Sequence, residues 1–165
     1  MKILSLFSGA GGLDLGLIQA GNTVIWANDI DANAVETYRQ NIGDHIILGD
    51  IKAIDISTMP SADVVVGGFP CQGFSQANRF RMLEDERNFL YRFFYEVIRQ
   101  KQPKFFIAEN VKGILTLGKG EAIKQIHILF GATRTEFTLT KKQLRTGMTG
   151  SMTPLLTASV KDATF

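Results

Sequence analysis

The sequence is poor in the residues that staple or metallate small domains, with one cysteine, Cys71, and two histidines, His45 and His127. A single thiol excludes an internal disulfide, and so few Cys and His leave the common metal motifs short of ligands. No metal site is expected. Apolar runs approaching the roughly 18–20 residues of a membrane span are also missing, so no membrane partner is expected. Met1-Lys2-Ile3-Leu4 leads directly into a strand-like segment without a small-residue cleavage site. The expectation is a cytoplasmic protein. Strong charge of either sign is lacking too: a net +2 permits a polyanionic partner without arguing for one.

What is present suits one globular domain, with 165 residues that are 45% hydrophobic and 21% charged. Lys2 to Phe7 reads as a buried strand, followed by a glycine-rich turn and a helix with Leu13, Leu17 and Ala20 on one face. Thr23 to Ala27 is a second strand, and Asp31 can cap a helix carrying Ala34, Val35 and Tyr38. Ile46 to Leu48 and Asp63 to Gly67 are further strands. Leu90, Phe93, Phe94, Val97 and Ile98 follow amphipathic helical spacing until Pro103, after which Lys104 to Ala108 forms a fifth strand. Strands alternating with helices imply an α/β fold, a mostly parallel sheet with helices on both faces. In such sheets ligands lie beyond the carboxyl ends of the strands. Gly9 to Gly12, Asn28-Asp29, Asp50, Cys71 and Glu109 all fall there.

Each of these motifs has two readings. Phe7-Ser8-Gly9-Ala10-Gly11-Gly12 lets a backbone approach a ligand closely, or is a plain strand-to-helix turn. No Gly-Lys-Ser/Thr follows it, so it is not a P-loop. Asp29 and Asp50 can accept from ribose hydroxyls or an adenine amino group, or cap a helix or turn. Cys71, after Pro70 and beside Gly67-Gly68, is an accessible nucleophile or a buried structural thiol. Glu109 can hold a proton near a heterocyclic ring nitrogen, or sit as a surface or capping acid. Gln72 to Arg87 mixes Arg79, Arg81 and Arg87 with Phe74 and Phe80, which suits phosphate contact and base stacking, or a solvated loop.

Taken together and in this order, these residues resemble the cytosine-5 DNA methyltransferases. Phe7 to Leu13 is similar to the family's first motif, Asp29-Ile30 and Asp50-Ile51 to its ribose and adenine contacts, and Gly67-Gly68-Phe69-Pro70-Cys71-Gln72 to its nucleophile motif. Glu109-Asn110-Val111 resembles the motif of the catalytic glutamate, and Leu90 stands where the family lines its cofactor pocket. The resemblance implies a Rossmann-like, S-adenosylmethionine-dependent methyltransferase fold, with Cys71 and Glu109 as catalytic residues. Phe7, Ser8, Gly9, Ala10, Gly11, Gly12, Leu13, Asp29, Ile30, Asp50, Ile51, Pro70 and Leu90 would then bind S-adenosylmethionine. Gln72, Ser75, Arg87 and Asn110 would contact a flipped cytosine of double-stranded DNA. The setting it implies is a restriction–modification system in a bacterial cell.

The resemblance covers residues 1–126. Residues 127–165 are Thr-rich, show no strand–helix repeat, and read as a divergent tail of unknown role, disordered or out of frame. The family's Gln-x-Arg-x-Arg segment, sequence-reading domain and carboxyl-terminal helix are not found in this sequence, so the fold is expected to be incomplete at its carboxyl end. Truncation, a shifted frame or a split enzyme with a complementary carboxyl-terminal polypeptide would each produce this, and an inactive fragment is one alternative reading. A tRNA cytosine-5 methyltransferase is the other.

Overall fold

In a computed structural model, residues 1–70 and 90–110 are described in full, and residues 135–140 and 155–160 as backbone strands. The chain runs β1 (Lys2–Leu6), α1 (Gly12–Gln19), β2 (Thr23–Asp29), α2 (Ala32–Asn41), β3 (Ile46–Leu48), two single-turn helices (Ile51–Ala53 and Ile56–Thr58), β4 (Val64–Gly67), α3 (Leu90–Lys101), β5 (Phe105–Glu109), β6 (Thr135–Thr140) and β7 (Leu155–Val160). Among the described residues the strands form one sheet in the order β3-β2-β1-β4-β5-β7-β6. Strands β1 to β5 pair in parallel, and β7 pairs antiparallel with both β5 and β6. The expected α/β class, with its mostly parallel sheet and helices on both faces, is the one observed.

Alternation along the strands divides the core between two faces, as a period of two requires. Leu4, Leu6, Val65 and Phe106 join Phe94, Val97 and Ile98 of α3 on one face. Ile3, Val24, Val64 and Val66 join Val35 and Tyr38 of α2 on the other. A register shift between Ile3 and Leu4 sets Leu4 opposite Trp26, so that Trp26 reaches the α3 face while Val24 stays on the α2 face. Asp31 caps α2 as expected, its carboxylate accepting from the amides of Asn33 at 2.8 Å and Ala34 at 2.9 Å. On α1, Leu13 and Leu17 pack on the core as expected, whereas Ala20 lies exposed beyond the last turn and Ile18 takes its place.

The sheet extends past the 1–126 segment that the sequence suggested. Strands β6 and β7 lie in the stretch read as carrying no strand–helix repeat. Thr135–Thr140 alternates only through Phe137 and Leu139, and Leu155–Val160 does not alternate; antiparallel pairing of β7 with β5, and of β6 with β7, gives them their place. Among the described residues no helix is long and apolar enough to cross a membrane.

Candidate active site

Strands β1 and β4 are neighbours, and the chain leaves their carboxyl ends toward opposite faces of the sheet, which opens a crevice between them. A cleft of about 420 Å³ lies there, lined by Phe7, Asn28, Asp29, Ile30, Gly49, Asp50, Ile51, Lys52, Gly68, Pro70 and Leu90. Its volume falls within the usual range for small-molecule sites. Seven of the anticipated cofactor residues are on this wall: Phe7, Asp29, Ile30, Asp50, Ile51, Pro70 and Leu90.

The glycine loop is held from below. Ser8 donates its amide to the Asn28 carbonyl at 2.9 Å, and Gly11 donates to the Ser8 carbonyl at 3.0 Å. Gly9 and Gly11 have φ values of 55° and 89°, in the left-handed region that favours glycine. Phe7 is also left-handed at φ 54°, a strained conformation for a bulky residue, and it lines the cleft. A β-carbon on Gly9 or Gly12 would meet nothing within 4 Å, so the backbone there faces open space. Ala10 and Gly12 are exposed, while Leu13 turns to the core and away from the cleft.

Asp29 connects this loop to the next strand. Its Oδ2 accepts from the Gly9 amide at 2.7 Å and its Oδ1 from the Asp31 amide at 2.9 Å. Asn28 beside it is buried and donates to the carbonyls of Ile47 at 3.1 Å and Gly49 at 2.9 Å, which fastens the end of β3 to β2. Asp50 follows, accepting from the Lys52 amide at 3.0 Å, with the Lys52 ammonium 3.8 Å away. Both of these groups are well exposed, so this pair contributes little to stability.

On the far side, Phe69 anchors the segment that leaves β4. Its buried ring packs at 5.8 Å from Phe94 and 6.4 Å from Tyr91. Asn110, also buried, donates its side-chain amide to the Phe69 carbonyl at 2.8 Å. Glu109 is half-buried at the end of β5, and its carboxylate stands over Gly68. Burial pushes the Glu109 carboxyl up from its ordinary value.

The structure therefore sets the Glu109 carboxylate over Gly68, one wall of the cleft that Asp29 and Asp50 also line, and keeps Asn110 buried with its amide on the Phe69 carbonyl. Cys71, Gln72, Ser75 and Arg87 lie outside the described residues. Asn28, expected at the ligand-binding end of β2, lines the cleft, whereas Gly49 and Lys52 were not anticipated as cleft walls; the signal available was their adjacency to Asp50.

Over residues 1–133 the sequence matches the family described as C-5 cytosine-specific DNA methylase. The chain belongs to this family. This chain is 54% identical over 127 residues to the Type II methyltransferase M.NgoFVII of Neisseria gonorrhoeae, an alignment covering 76% of this chain and 34% of that protein. It is 42% identical over 159 residues to the Type II methyltransferase M.BspRI of Lysinibacillus sphaericus, covering 79% and 37% respectively. It thus spans about a third of the length of these curated relatives. Among solved structures, a candidate DNA modification methyltransferase encoded within an E. coli prophage superposes with a TM-score of 0.75 at 28% identity, over 97% of this chain and 47% of that one.

Proposed function

We propose that this methylase chain carries the S-adenosylmethionine-binding and nucleophile-bearing part of a DNA (cytosine-5-)-methyltransferase of a restriction–modification system. The observation that carries this reading is the position of Glu109, a half-buried acid whose carboxylate stands over Gly68, a wall of the same cleft that Asp29 and Asp50 line. The cleft suits S-adenosylmethionine. Asp29 and Asp50 offer acceptors for ribose hydroxyls and an adenine amino group, Ile30, Ile51 and Leu90 offer apolar walls for a purine, and the backbone at Gly9 and Gly12 leaves room beside it.

When bound, S-adenosylmethionine supplies an electrophilic methyl group on a sulfonium. The remaining work falls to the chain. Cys71 follows Pro70 in sequence, and Phe69 before them is held by its ring contact with Phe94 and by the Asn110 amide. Its thiolate forms a bond to carbon 6 of cytosine and makes carbon 5 nucleophilic. Glu109 shares a proton with ring nitrogen 3 and the exocyclic amine, where charge develops; an acid whose burial favours the protonated form is suited to that role. Methyl transfer to carbon 5 would break the methyl–sulfur bond and leave the cofactor's sulfur as a neutral thioether; a base then removes the carbon 5 proton, and the electron pair left behind re-forms the carbon 5–carbon 6 double bond and expels Cys71 as thiolate. The target base must first leave the duplex, at a cost of about a few kcal/mol. Gln72, Ser75 and Arg87 are proposed to close on that flipped base.

Transfer of labelled methyl from S-adenosylmethionine to mixed-sequence DNA and to tRNA tests the proposal, with the chain alone and with a polypeptide supplying the family's carboxyl-terminal motifs. Label in DNA cytosine that Cys71→Ser abolishes is the expected result. Label in tRNA would overturn it.

A further inference from the structure

Asp14 is a carboxylate that the proposed reaction does not use, and it is completely buried. It lies in the first turn of α1, just past the glycine loop. Ser5 donates its hydroxyl to Oδ1 at 2.7 Å, and Tyr38 donates its hydroxyl to Oδ2 at 2.8 Å. Burial pushes the Asp14 carboxyl up, while these hydroxyls and nearby His45 pull it back. An apolar residue of similar size would avoid that desolvation, so the carboxylate is best explained by what it orients.

The hydrogen bonds continue in both directions. Ser8, inside the glycine loop, donates its hydroxyl to Ser5 Oγ at 3.0 Å. At the other end, the Tyr38 hydroxyl lies 3.1 Å from Nε2 of His45. Tyr38 has one proton and gives it to Asp14, so His45 must be the donor in that contact. The Tyr38 ring meanwhile forms the floor beneath Gly11, where a β-carbon would stand 2.8 Å from Cδ2. One carboxylate thereby ties β1, α1, α2 and the turn before β3 to the two ends of the loop.

We propose that Asp14 is a positioning residue, which through the hydroxyls of Ser5 and Tyr38 sets the Ser8–Gly11 turn that receives S-adenosylmethionine. The proposal rests on reading the cleft as the S-adenosylmethionine site, but its first test needs no ligand. Amide hydrogen exchange of the full chain reports the loop directly, because the Gly9 and Gly11 amides are both hydrogen-bonded. Asp14→Ala should speed exchange across residues 8–12 and weaken equilibrium binding of S-adenosylmethionine by about tenfold or more. Asp14→Asn can accept from one hydroxyl and donate to the other once that hydroxyl turns, and should restore both readouts to within about threefold of wild type. Tyr38→Phe keeps the ring and removes one donor, so it covers the case in which Asp14→Ala does not fold; faster loop exchange is expected there too. Unchanged exchange and affinity in Tyr38→Phe and Asp14→Ala would overturn the proposal, as would an Asp14→Asn chain as impaired as Asp14→Ala. Loop exchange that responds in a chain whose wild type does not bind S-adenosylmethionine would uphold the positioning role and overturn the cofactor assignment.

Discussion

A β-carbon built on Gly68 would stand 2.8 Å from Oε2 of Glu109. The glycine just past the end of β4 and the acid at the end of β5 are therefore mutually fitted, and the space above Gly68 belongs to the carboxylate. Gly67, one residue earlier, is confined in the same way between the Leu6 carbonyl and the Phe94 ring, both 2.9 Å from its would-be β-carbon.

Gly68→Ala should displace Glu109 with little effect on folding, because a carboxylate at the end of a flexible side chain can move aside. Methyl transfer by an assembly containing the variant is expected to fall about 100-fold, as for other small misplacements of reacting groups. Stability should change by less than about 1 kcal/mol. Steady-state methylation paired with urea unfolding separates the two.

Glu109 predicts a pH dependence of stability. Its folded-state pKa is raised by burial, so the folded chain binds this proton more tightly than the unfolded chain. The stabilisation is complete below the unfolded-state value and is lost as pH rises through the folded-state value. Glu109→Gln should flatten that part of the wild-type profile, gain stability relative to wild type at neutral pH, and lose methyl transfer. Urea midpoints compared from pH 4 upward would show it.

Gly11, which caps α1, and Gly12, its first residue, should respond in opposite ways. Gly11→Ala places a methyl group in a left-handed residue, φ 89°, and against Ile42 and Tyr38, so a loss of about 1–3 kcal/mol is expected. At Gly12 the β-carbon meets open space, and Gly12→Ala should leave stability unchanged or raise it by about 0.4–1 kcal/mol. Thermal unfolding checks both. Weaker S-adenosylmethionine binding by Gly12→Ala without any loss of stability would place the ligand against that backbone.

Asn110→Ala removes the donor to the buried Phe69 carbonyl, at an expected cost of about 1–3 kcal/mol. The segment leading to Cys71 loses a tether, so the thiol's rate of reaction with a disulfide reagent should change with it. An Asn110→Ala chain of wild-type stability and thiol reactivity would remove that anchor from the mechanism.

Local features were legible in the sequence, and features that depend on distant pairing were not. Asp31 was readable as a cap because its partners are the next residues of α2. The α3 face was readable because Leu90 to Ile98 repeats with the helical period. The acids Asp29 and Asp50 were readable because strand ends in such sheets collect ligands. Asn110, expected to meet substrate, is buried with its amide on Phe69, a contact 41 residues back along the chain. Asp14 reads as an ordinary acid in a first helical turn; its burial follows only once Tyr38, 24 residues later, covers it. Strands β6 and β7 escaped notice because each is short and takes its register from pairing, β7 on β5 and β6 on β7.

The double engagement of Asp29 constrains how this cleft can evolve. The same residue that lines the cleft also accepts, through its carboxylate, from Gly9 and Asp31. A replacement that retunes ligand choice at this position would simultaneously release the backbone of the glycine loop. Drift toward a different ligand is therefore easier through Ile30, an exposed apolar residue of the cleft wall.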